Sequence, residues 1–222
     1  MTALLRYQTA LLLRSQRWLA PVLLYAATLG IGVQSGQPVL DSLGWTAAVL
    51  LPVAAWFVQL CATQEPDAAR TVAAAAAGPG RVQLASLLTA TGCAAALGTV
   101  AAVVVTLVSA PVTNDRTTDI PLPSAALAGL LAVLCCALLG AAVGAMCTRP
   151  LLNRRGWSLA ATVLGVLLAL VTSGSPAKYA VTSLVSGSRT GSVPVPGVPL
   201  LGAAVLAAAV ALLVCRAAAR RG

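Results

Sequence analysis

Residues 63–81 read TQEPDAARTVAAAAAGPGR. Pro66 suits the first position of a helix, where its missing N–H costs nothing. Glu65 and Asp67 set negative charge at the end of a helix whose dipole favours it. From Arg70 to Ala77 nearly every residue is a strong helix former. Gly78-Pro79-Gly80 stops the run, because glycine accepts a left-handed cap and proline cannot continue the ladder. The stretch therefore predicts a short capped helix at about 65–77 with a smooth alanine face, followed by Arg81. Apolar runs long enough to cross a bilayer flank it on both sides. A helix so placed is expected outside the membrane, gripped by a partner.

Composition agrees with that setting. The 222 residues are 59% hydrophobic and 9% charged, against roughly 25% charge in a soluble domain. The net charge of +9 does not point to nucleic acid, because the basic residues stand at the ends of apolar runs, the pattern of a membrane protein. Arginine outnumbers lysine 13 to 1 and alanine dominates, a bias expected of a high-GC bacterial genome. No cleavable signal peptide is expected: Arg6 and Arg14 flank only a short apolar patch, with no small-residue cleavage site before the first long run.

Six apolar runs lie at about 18–33, 43–62, 82–110, 122–147, 157–172 and 199–215, and a span needs about 17–25 residues. The fold class predicted is all-α: a polytopic membrane protein of six helices forming one transmembrane domain. Pro52 interrupts the second run and is expected to kink it, since membrane helices tolerate proline where neighbours satisfy the freed carbonyl. Residues 1–17 wind as an amphipathic helix, with Leu4, Leu5, Leu11 and Leu12 on one side and Arg6, Arg14 and Arg17 on the other. Either it lies in the membrane interface, anchored by those arginines and Trp18, or it extends the first span. Residues 173–198 are long for a loop and hold a modest apolar patch from Tyr179 to Val185. They form either a re-entrant or interfacial element or a plain surface loop.

With six spans, the N-terminus, loop 63–81, loop 148–156 and the tail share one side. They carry eleven of the fourteen basic residues; Arg116, Lys178 and Arg189 are on the other. The positive-inside rule then places both termini and the 65–77 helix in the cytoplasm of a plasma-membrane protein. None of the six cysteines falls in an outer loop, so no exported disulfide framework is expected. Each, including the vicinal Cys135-Cys136 pair, reads as a small buried hydrophobe.

Missing chemistry narrows function. There is no histidine, which excludes His-based acid–base catalysis and His-bearing metal sites. The five carboxylates, Asp41, Glu65, Asp67, Asp115 and Asp119, all fall in loops on this assignment, whereas ion-coupled carriers bury one within a span. No P-loop precedes the single lysine, Lys178. The chain is not expected to be an enzyme or to bind a metal. Gly140 and Gly144 form a small-xxx-small pair that serves either intramolecular bundling or a dimer seam. Gln59 and Thr89 either line a path or hydrogen-bond between helices.

Six spans with both ends inside, an amphipathic N-terminal helix, the capped 65–77 helix and the long 173–198 segment together resemble the permease subunit of an ABC exporter of the type-2 class. That class exports drugs, polysaccharides and lipids. The closest local likeness is Glu65, the run to Ala77 and the turn Gly78-Pro79-Gly80-Arg81. The resemblance implies a coupling helix docking on a separate P-loop ATPase through Glu65, Pro66, Asp67, Arg70, Gly78, Pro79 and Arg81. It also implies a second permease copy or paralogue, contact with membrane lipid, ATP and Mg²⁺ bound only by the partner, and alternating access driven by that partner. The rivals are a secondary carrier and a non-transporting assembly or sensor subunit.

Overall fold

The computed structural model describes residues 1–114, 118–148, 155–193 and 196–221. Asp115, Arg116, Arg149 and Arg154 lie outside the described residues, as do the side chains of Asp67, Arg155 and Arg221. The chain is all-α, 83% helical. Among the described residues the helices are α1 (Thr2–Ser15), α2 (Leu19–Gly32), α3 (Val39–Thr63), α4 (Asp67–Ala77), α5 (Pro79–Val108), α6 (Leu122–Met146), α7 (Arg155–Val171), α8 (Pro176–Thr190) and α9 (Gly197–Arg221).

Four helices, α3, α5, α6 and α9, are long and apolar enough to cross a membrane, and they mark the chain as membrane-embedded. A fifth candidate is the pair α7–α8, bent by 48° at its break. α2 has 14 residues, about 21 Å at 1.5 Å per residue, and is short for a hydrocarbon core of about 30 Å.

α3 and α6 form the central pair, flanked by α5 and α9. They approach closely because α6 presents glycine. A Cβ on Gly140 would collide with the Leu51 carbonyl, and one on Gly144 would lie 2.7 Å from the Ala55 carbonyl oxygen. The Gly140/Gly144 pair thus serves packing inside the chain, where small residues let backbones meet. Gly98 of α5 is similarly filled by Leu50 and Val133. Pro52 lies inside a helix assigned as continuous from Val39 to Thr63. Outward faces remain apolar: Val100, Val104 and Leu107 of α5 and Leu201, Val205 and Leu213 of α9 are exposed, which suits contact with lipid.

The two ends of the bundle differ. At one, Pro38 bridges Ala110, Val112 bridges Asp119 in the antiparallel sense, and the Asn114 N–H donates to the Ser188 carbonyl (3.0 Å). At the other, α4 joins α3 to α5, α1 packs on α5, and Gly80 lies against Cys215 near the end of α9. The 173–198 segment is not a plain surface loop. α8 occupies most of it, with Ala177, Ala180 and Leu184 fully buried and Gly44 of α3 against Val181, Leu184 and Val185. Pro176 lies against Gly202, and the Cys135 thiol, midway along α6, reaches the Pro199 carbonyl at 3.6 Å. The start of α9 therefore lies beside the middle of α6 and the start of α8, and α8 packs against α3, α6 and α9. The Lys178 ammonium donates to the Val171 carbonyl (2.8 Å), satisfying the end of α7 at the bend.

Three sequence expectations change. Asp41 is not in a loop: α3 starts at Val39, so Asp41 stands in its first turn with Oδ1 buried and unpartnered. On the N-terminal helix Leu12 is only 2% exposed and Leu4, Leu5 and Leu11 are half-buried, so this face packs in part on the protein, chiefly on α5. The Gly-Pro-Gly turn is shorter than expected, since Pro79 already opens α5.

Candidate functional site

The α3–α4–α5 corner gathers most of the residues singled out in the sequence. α3 ends at Thr63 and α4 begins at Asp67. Pro66 is the residue before the helix, with ψ at 144°, rather than its first member. Glu65 thus belongs to the connection and not to α4. The exit is set by Gly78, at φ 89° and ψ 138°, a region that is costly for any residue with a Cβ. Its N–H donates to the Ala74 carbonyl (2.8 Å) and its own carbonyl accepts from Val82 (3.2 Å). One residue therefore closes α4 and opens α5. Pro79 supplies the fixed φ that suits the start of α5.

Side chains brace the corner. The Arg70 guanidinium donates to the Gln83 side-chain oxygen and, at 3.5 Å, to the Ala62 carbonyl, linking α4 to both neighbours. Arg70 is half-buried, and its guanidinium is engaged within the chain. Glu65 is buried, 9% exposed, and its Oε2 accepts from Gln8 of α1 (3.3 Å). Gln64 donates to the Gln8 oxygen (3.2 Å). Gln8 was missed in the sequence because it sits in the polar run Arg6-Tyr7-Gln8-Thr9, where nothing marks it as a buried residue. Tyr7 stands beside Glu65, and its hydroxyl is pushed above its ordinary value of 10 by desolvation, then by the carboxylate's charge and hydrogen bonding.

What faces outward is apolar and small. Ala68, Thr71, Ala75 and Ala76 are exposed, and Val72 is 70% exposed. Pro66 and Arg81 are exposed as well. The anchors Arg6, Arg14 and Arg17 are exposed on α1, and Trp18 is half-buried with its indole N–H donating to the Leu13 carbonyl (3.4 Å). Deeper in the bundle, the Gln59 amide donates to the Thr162 hydroxyl, tying α3 to α7, while the Thr89 hydroxyl is buried without a partner.

The corner is a braced strut carrying a smooth exposed face. Among the described residues no group of three or more His, Cys, Asp or Glu side chains could hold a metal ion. Comparison with known protein families, curated proteins and solved structures found no match.

Proposed function

We propose that the chain is the membrane-spanning permease subunit of an ABC exporter, coupled through α4 to a separate P-loop ATPase that binds ATP and Mg²⁺. The observation that carries this reading is α4 itself. It is too polar and short to span, it is joined to two span-length helices without slack, and it exposes Val72 beside alanines. A push on that face moves α3 and α5 together, which is the mechanical requirement for an external motor. On this reading the six crossings are α2, α3, α5, α6, the bent α7–α8 pair and α9. A short α2 is accommodated by local thinning of the bilayer. Both termini and α4 then face the cytoplasm of a bacterial plasma membrane, a second copy or paralogue completes the path, and α1 meets lipid headgroups through Arg6, Arg14 and Arg17. The test is co-purification: Ala74→Pro breaks α4 and should abolish association with the ATPase and transport at normal membrane abundance. Unimpaired association would overturn the reading.

Asp41 favours a second reading, an ion-coupled carrier, because its half-buried carboxylate in the first turn of α3 keeps one buried, unpartnered oxygen, and such carriers need a carboxylate within a span. Transport into sealed vesicles separates the two. Drive by an imposed ion gradient without ATP, lost in Asp41→Asn, belongs to the carrier; drive by ATP with Asp41→Asn active belongs to the exporter.

A further inference from the structure

Seven buried side-chain oxygens or nitrogens of the described residues have no hydrogen-bond partner, and three of them belong to the cluster at the α3–α4 connection: Glu65 Oε1, Gln64 Oε1 and Gln83 Nε2. Two are acceptors on adjacent residues. Their orientation is set by a one-way chain of donors: Gln64 Nε2 donates to Gln8 Oε1 at 3.2 Å, and Gln8 Nε2 donates to Glu65 Oε2 at 3.3 Å. Each amide spends its N–H₂ on that chain. Glu65 Oε1 and Gln64 Oε1 are left without a hydrogen bond of their own beside a common neighbour, while the Tyr7 hydroxyl interacts with the Glu65 carboxylate as a whole. Arg70 does not neutralise the carboxylate, since its guanidinium is committed to Gln83 and the Ala62 carbonyl.

A buried carboxylate without a cation is costly, and so is each buried acceptor without a donor. One ligand class answers both demands. We infer that Glu65 Oε1 and Gln64 Oε1 hold a monovalent metal cation, Na⁺ or K⁺, at the junction of α1 with the α3–α4 connection. Hard oxygen donors select hard cations over transition metals. A single carboxylate with a neutral amide balances one positive charge, whereas Ca²⁺ takes 6–8 oxygen ligands and commonly several carboxylates. The bound ion would pin α1 to the corner, because Gln8 fixes the side chains of both ligand residues. The site stands whether or not α4 docks on an ATPase.

The test uses the purified full chain in detergent, unfolded by heat in Na⁺, K⁺ or N-methylglucamine chloride at equal ionic strength. N-methylglucamine is too large for the site. A ligand at ten times its Kd raises the folded-to-unfolded ratio roughly elevenfold. The expected result is a saturable rise in Tm with Na⁺ or K⁺, absent in Glu65→Gln and weakened in Gln64→Leu. Gln64→Leu keeps the carboxylate and serves if Glu65→Gln does not fold. Arg81→Gln, on an exposed side chain, should keep the full rise. Equal Tm in all three salts, as water alone in the site would give, overturns the proposal. So does a rise that both ligand variants retain.

Discussion

Gly78 carries the sharpest consequence of a single residue. Nothing lies within 4 Å of where its Cβ would be, yet its φ is 89°. Substitution would therefore strain the backbone without a clash, at about 1–3 kcal/mol. Gly78→Ala should lower the unfolding temperature by several degrees, whereas Gly92→Ala, also in open space but with ordinary helical φ, should be neutral or stabilising. Tyr7 gives a second check. Its pKa is raised on folding, so the stability it contributes is fully present below pH 10 and is lost as pH rises past that value. Tyrosinate absorbance, taken as the difference between the chain and Tyr7→Phe, should show a midpoint above 10. Glu65→Gln should lower that midpoint, and an unchanged midpoint would remove the carboxylate as a cause. Gly78 was legible as a stop signal from its place before proline. The inward turn of Arg70 was not, because a lone arginine on an alanine helix gives no sign of which neighbour it meets.

At the scale of elements, α4 and the α3–α6 seam make opposite demands. α4 packs mainly on α5, so its own helicity matters most, and Ala74→Pro should cost about 3 kcal/mol or more locally. Membrane insertion of the spans should be untouched, as carbonate-resistant membrane content would report. The seam depends on contact. Gly140→Leu would drive a side chain into the Leu51 carbonyl and Ala54, and overpacking of this kind costs about 1–3 kcal/mol or more. It should reduce folded yield where Gly30→Leu, in open space, does not. The long helices were legible because an apolar run of about 20 residues matches the thickness of a bilayer, and a chain with so little charge cannot clothe such runs in a polar surface. α8 was only half legible. Thr182, Ser183 and Thr190 pair with carbonyls of their own helix, while the buried Ser188 hydroxyl has no partner. That lets a loop-like composition sit inside a bundle. Asp41 was read as a loop residue because apolarity, and not helix formation, defined the run that begins at 43.

For the whole molecule, orientation is the first quantity to fix. In a background lacking the six native cysteines, single cysteines at Thr190 and at Ala75, both exposed and at opposite ends of the bundle, should differ in reaction with an impermeant thiol reagent. Thr190→Cys should label from outside intact cells and Ala75→Cys only after lysis. The reverse pattern would invert the topology. The arginine count reaches this expectation from sequence alone, but nothing in sequence says that α1 meets the α3–α4 connection, since that contact is made by Gln8 and Tyr7, which no pattern singles out.

The central claim is that α4 is the docking face for a motor subunit, and the most direct measurement places a photoreactive amino acid at Val72. The chain should be crosslinked in intact cells, with the adduct identified by mass spectrometry. A second copy carries the probe at Leu164 of α7, 59% exposed on an apolar face. A docked α4 should give a covalent adduct with a P-loop ATPase from Val72, lost when Ala74→Pro is added, and no ATPase adduct from Leu164. Absence of an ATPase adduct at Val72 in cells that transport, or equal adducts from both positions, would contradict it.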